Sequence, residues 1–166
     1  MAAWLGADEL AFAETQRSFQ VSATVSEGCL VSETGETSGN VGEFGTLDFG
    51  TASSLSSDVL TSAVVQAGAV SLECTPGIEL TMRIDGGLNA ASGSRQVSRV
   101  DGDQALAYAL YADAGLQQSI GIDEAVAFQL DPSSSSISLP VYGRLALPGN
   151  AYAGTYTDRL TVTLAW

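Results

Sequence analysis

From Ile78 to Ile84 the chain reads IELTMRI, with Ile78, Leu80, Met82 and Ile84 at alternate positions and Glu79, Thr81 and Arg83 between them. A period of two puts one set of side chains on one face of an extended strand and the other set on the opposite face, so the run is read as a half-buried β-strand. The same pattern recurs. Phe19, Val21, Ala23 and Val25 alternate with Ser18, Gln20, Ser22 and Thr24; Leu106, Tyr108 and Leu110 alternate through ALAYALY; and in Tyr156–Trp166, read as the last strand, Leu160, Val162, Leu164 and Trp166 alternate with Thr161 and Thr163. Further short runs are read as strands at 44–49 (FGTLDF), 59–65, 69–74 and 137–146, the last with Pro140 inside it, which places that point at an edge or bulge. The runs are separated by turn-forming clusters such as Asp85-Gly86-Gly87 and the polar stretches 33–42, 53–58, 92–103 and 133–136. About eight short strands, no helical periodicity and no linker in 166 residues indicate one all-β domain of the antiparallel sandwich class.

Charge and residue counts then remove whole classes of function. The chain carries a net charge of −13, has no Lys, and places its six Arg at positions 17, 83, 95, 99, 144 and 159, so no basic patch exists for a phosphate backbone or an anionic membrane. No run approaches the roughly 18 apolar residues of a membrane span. The chain has no His, which excludes Ser–His–Asp and Cys–His catalysis and makes a zinc site hard to build. No phosphate-binding glycine loop is present. Asp85 is read as a structural turn residue, and Asp158-Arg159 as a surface pair or turn. Asp101 and Asp103 lack the further ligands of a calcium loop. Tyr108, Tyr111, Tyr142, Tyr152 and Tyr156 fall inside strand motifs and are read as core or cross-strand aromatics. No catalytic residue, metal or cofactor is expected.

Two cysteines, Cys29 and Cys74, admit either a disulfide closing a loop of about 45 residues, which requires an oxidising compartment, or two buried thiols. Residues 1–13, MAAWLGADELAFA, end in Ala11-Phe12-Ala13, which fits a signal-peptidase site. They lack a basic start, and Asp8 and Glu9 interrupt the apolar stretch. The expectation is a mature chain starting near Glu14, with 1–14 a signal remnant or an additional N-terminal extension.

Seven pieces, in order, carry a resemblance: EGCLV (27–31), FGTLDFG (44–50), SLECTPG (71–77), IDGGLNA (84–90), LAYALYAD (106–113), LPVYGRL (139–145) and AGTYTDRLTVTLAW (153–166). Together they resemble the spore coat protein U family, which includes the pilins of archaic chaperone–usher pili, over about Phe19 to Trp166. The resemblance implies an incomplete immunoglobulin-like β-sandwich lacking its last strand, with an N-terminal donor-strand extension, and a disulfide between Cys29 and Cys74. It divides the chain into 15–24 as donor segment and 25–166 as pilin domain, with Phe19, Val21 and Ala23 as the inserted side chains. It also implies an acceptor groove lined by Leu160, Val162, Leu164 and Trp166.

The same resemblance implies a non-enzymatic pilus subunit that polymerises with copies of itself by donor-strand complementation, for adhesion and biofilm formation. Its partners would be a periplasmic chaperone and an outer-membrane usher, and it would be exported through the periplasm to the cell surface as a fimbria. A minor or tip adhesive subunit, or a secreted spore-coat-type protein without pilus assembly, are the alternatives. On the residues alone, Arg17–Val25 could equally be the first strand of the chain's own sheet, with Val25 leading into Cys29.

Overall fold

The computed structural model of the chain describes residues 20–31, 45–66, 72–129, 136–137 and 141–166. Among the described residues every regular element is a β-strand. The strands are short, as the frequent Gly, Ser and Asp punctuation requires.

The largest sheet has five strands. At its centre lies β8 (Ala105–Tyr111), flanked by β7 (Arg95–Arg99) and β11 (Tyr142–Ala146), with β12 (Tyr156–Thr157) outside β7 and β3 (Val59–Ala63) outside β11. A second sheet runs β13 (Val162–Ala165), β6 (Glu79–Ile84), β9 (Val126–Gln129). A third runs β1 (Cys29–Val31), β5 (Leu72–Cys74), β10 (Ser136–Ile137), and β2 (Gly45–Thr46) pairs with β4 (Val65–Gln66). All pairings are antiparallel.

Alternation fixes which side chains go inside. Leu80, Met82 and Ile84 of β6 and Leu106, Tyr108 and Leu110 of β8 are buried, while their odd-numbered neighbours are not. They share one core with Leu145 of β11, Val141, Ile120 and the two half-cystines, so buried faces of three sheets meet in a single apolar interior. Leu47 and Phe49, from FGTLDF, cover this core where β11 carries Gly143. A Cβ at Gly143 would lie 2.8 Å from Leu47 Cδ1 and 2.8 Å from Phe49 Cζ. Phe49 meets Tyr108 edge-on at 6.2 Å.

Five expectations change. The run 59–65 divides, with residues 59–63 in β3 beside β11 and Val65 in β4 beside β2. The polar stretch 92–103 contains β7, because Arg95 is buried and Gln96–Arg99 pair along β8 and β12; only Val97 gives the strand an apolar residue. Strand β9 carries too short a run to stand out. The run 137–146 is not one strand: residues 136–137 join β5, residues 142–146 join β8 and β3, and Pro140 lies outside the described residues. The terminal run 156–166 also divides, with β12 in the five-stranded sheet and β13 beside β6.

Candidate assembly edge

Strand β13 pairs with β6 in the register Val162↔Ile84 and Leu164↔Met82. Paired residues share a face, so Val162 and Leu164 stand beside fully buried core residues. Both are nevertheless only half-buried, as is Leu160 just before the strand. The reason lies in the sheet order: β13 has a strand on one side only among the described residues. Among the described residues its other edge is unpaired, leaving backbone N–H and C=O groups for a further strand, and no described strand covers its inward side chains on that side.

The described part of the N-terminal segment stands apart from the strands. Residues 20–28 form no strand, and their side chains are exposed up to Gly28, with Val21 at 81% and Val25 at 95%. Val25 therefore does not enter the chain's own sheet before Cys29. Ala23 is likewise exposed. Phe19 lies outside the described residues. The end of the segment lies close to the end of the strand: Trp166, 45% exposed, stands beside Gly28, with Nε1 3.4 Å from where a Cβ on that glycine would stand.

Immediately after Gly28 the chain is covalently fixed. Cys29 and Cys74 are direct partners in the β1–β5 register and form a disulfide, both sulfurs buried in the core. Thr75 closes the ladder beyond it: its N–H donates to the Gly28 carbonyl (2.9 Å), its hydroxyl donates to the same carbonyl (3.2 Å), and the Gly28 N–H donates to the hydroxyl (3.1 Å).

The other end of β13 is held by two carboxylates. Asp85, directly after β6, accepts from Gly87 N–H (3.0 Å) and from Thr161 N–H (2.9 Å) through Oδ1, while its own N–H donates to the Thr161 carbonyl (3.1 Å). Asp158 accepts from the Tyr108 hydroxyl at Oδ2 (2.8 Å), and from Leu88 N–H and Asn89 Nδ2 at Oδ1 (both 3.0 Å). Gly87 has φ 80°, and a Cβ there would collide with the Asp158 carboxylate, so the turn after Asp85 demands glycine at this place twice over.

Beneath the pair lies Arg95, 4% exposed. Its Nε donates to the Asp85 carbonyl (2.8 Å), Nη1 to Ile120 (2.6 Å) and Nη2 to Ile84 (2.7 Å) and Gly121 (3.0 Å). Four carbonyls replace its water shell, which is what a buried guanidinium requires. Burial pulls the guanidinium below its ordinary value, opposed by Tyr108, Asp85, Asp123 and Asp158. Burial first, and then the hydrogen bond to Asp158, pushes the Tyr108 phenol far above its ordinary range.

Asp85 is thus the turn residue its DGG context indicates. Asp158 is not a surface pair with Arg159: its bonds run inward, to residues 70, 69 and 50 positions away. No local pattern marks it or Arg95, since the partners of both are backbone groups, one side-chain amide and one phenol elsewhere along the chain. Tyr142 and Tyr111 are direct cross-strand partners, whereas Tyr152 is exposed under Arg99.

The family model of the Spore Coat Protein U domain matches residues 15–163. The chain belongs to the Spore Coat Protein U domain family. Spore Coat Protein U domains are those of archaic chaperone–usher pilus subunits, which makes the chain a pilus-related protein from a structural family. No curated protein sequence matches it significantly.

Among solved structures, this Spore Coat Protein U chain is similar to one described as a chaperone–tip adhesin complex of CFA/I fimbriae biogenesis. The match has 17% identity and a TM-score of 0.43, over 83% of this chain and 40% of that one. It is also similar to a mutant of the enterotoxigenic E. coli CFA/I adhesin CfaE, at 17% identity and a TM-score of 0.41, over 83% of this chain and 42% of that one. The chain spans about two fifths of the length of the structures it matches.

Proposed function

We propose that the chain is a structural subunit of an archaic chaperone–usher pilus and polymerises by donating residues 15–24 to the open edge of another copy. The observation that carries this reading is the pairing of two unsatisfied elements in one molecule. An alternating, exposed segment leaves the fold at Gly28, and β13 has one partnered edge and, among the described residues, one open edge. Strand addition answers both: backbone hydrogen bonds supply affinity, and alternate side chains entering the gap supply specificity. In this reading Phe19, Val21 and Ala23 enter the gap, and Leu160, Val162, Leu164 and Trp166 receive them. Burying Phe19 and Val21 would contribute roughly 1.5–3 kcal/mol each.

A head-to-tail contact of this kind does not close on itself, so it extends into a fibre. An open apolar edge is also an aggregation hazard before assembly, and a periplasmic chaperone that lends a strand would cover it until an outer-membrane usher exchanges subunits. The fibre would stand at the cell surface and serve adhesion and biofilm formation. Residues 1–14 would be a signal remnant or a further extension, and 25–166 the receiving domain.

The test compares the full chain with a Phe19→Glu/Val21→Glu variant, using size-exclusion chromatography, negative-stain microscopy and a labelled peptide of residues 15–25. The wild type is expected to form fibres. The variant is expected to stay monomeric yet capture the peptide. A wild-type chain that stays monomeric and ignores the peptide, or a variant that polymerises as well as the wild type, overturns the reading.

A further inference from the structure

We infer that Asp85 and Asp158 are positioning residues that hold β13 as a preformed strand before a donor arrives. This rests on the strand-donation reading above and adds how the acceptor is kept ready.

An edge strand of four residues with a single neighbour is expected to fray, and a frayed acceptor must be ordered at the moment of binding, which weakens and slows capture. Strand β13 meets this problem at its start. The chain crosses from β12 in one sheet to β13 in another over only four residues, 158–161. Both ends of that crossing are tied to distant elements. Asp158 fastens the first residue to Tyr108 of β8 and to the Leu88–Asn89 turn, while Asn89 Nδ2 also donates to the Thr157 carbonyl (3.0 Å). Asp85 fastens the last residue, Thr161, by exchanging a main-chain bond with its carbonyl and a carboxylate bond with its N–H. The pairing of β6 with β13 therefore continues one residue past Val162↔Ile84, with the Asp85 side chain acting as the acceptor. Asp85 is itself immobilised, because Arg95 holds the Ile84 and Asp85 carbonyls. None of these bonds faces the free edge, so they direct the strand without occupying the place a donor would take.

The experiment uses the Phe19→Glu/Val21→Glu chain as parent, because its own donor is disabled and its acceptor edge stays free, and measures association and dissociation of the labelled 15–25 peptide with hydrogen exchange of the β13 amides. In that parent, Asp85→Ala and Asp158→Ala are expected to raise Kd at least tenfold, chiefly through slower association, with Asp85→Asn recovering most of the loss because it keeps an acceptor. Leu60→Ala, a change in β3 at the edge of the five-stranded sheet opposite β12, serves as the stability control and is expected to leave Kd within twofold. Alanine variants at Asp85 and Asp158 that bind like the parent overturn the inference, as does a Leu60→Ala variant that weakens binding equally. If the Asp85 and Asp158 variants do not fold, the parent decides: without peptide, its β13 amides are expected to be protected to within tenfold of those of β6, and free exchange of β13 overturns the inference. A parent chain that binds no peptide overturns strand donation instead, and the exchange measurement still reports on β13.

Discussion

Trp166 rests on Gly28: the indole at the end of the terminal strand touches the residue from which the N-terminal segment departs. A branched side chain at that glycine would push the indole away. Gly28→Val is therefore expected to lower stability by about 1–2 kcal/mol and the melting temperature by about 3–6 °C. In a Trp4→Phe background, the Trp166 emission should shift to the red. Unchanged emission would show that the indole does not need the glycine.

The bridge between Cys29 and Cys74 closes a separation of 45 residues. Loop-closure entropy gives it about 4 kcal/mol of stabilisation. Cys29→Ser/Cys74→Ser is expected to lose most of that in urea denaturation. Because both sulfurs are buried, a mild reductant should open the bridge of the folded wild type slowly, at a rate that rises with urea. Mass mapping under denaturing conditions after timed quenching measures it.

Tyr108 sets an alkaline limit. Its ordinary value is 10.0, and the fold raises it through burial and the bond to Asp158. The folded state keeps the phenol neutral while the unfolded state ionises above pH 10. The stabilisation is thus fully present below pH 10 and is lost as pH rises beyond it, by about 1.4 kcal/mol per pH unit. The Tyr108 contribution to urea midpoints should stay level from pH 9 to 10 and fall along this slope from pH 10 to 11. Tyr108→Phe should flatten it, at a cost near neutral pH of about 1 kcal/mol for the lost hydrogen bond.

Gly143 lets FGTLDF close over the core. Gly143→Val would drive Leu47 and Phe49 off β11, and an overpacked site of this kind costs about 1–3 kcal/mol. Gly143→Ala is expected to cost less, because side-chain ends alone stand in the way. Near-ultraviolet dichroism, which reports the Phe49–Tyr108 contact, should change with the first variant more than with the second.

Strands were legible where one face is buried and the other wet. β6 and β8 obey that rule, and their core residues, Leu80, Met82, Ile84, Leu106, Tyr108 and Leu110, are the ones alternation marks. β7 breaks it, because its buried residue is an arginine satisfied by four carbonyls from two other places along the chain, 84–85 and 120–121. Periodicity is a record of burial, and it cannot report that a charge has been buried with partners. The division of 156–166 between two sheets was hidden for a related reason: alternation persists across the crossing, since Leu160 continues the inward set before β13 begins. The motifs of the edge were readable, but the carboxylate partners that fix it were not, because Asp158 and Tyr108 lie 50 positions apart.

The position of the disulfide has a mechanical meaning. A pull on the segment before Gly28 enters the folded body at Cys29 and passes at once through a covalent bond into β5, the middle strand of its sheet. The three residues of β1 are thereby spared from being unzipped one hydrogen bond at a time. Tension delivered at that root is spread into the core before any strand can peel.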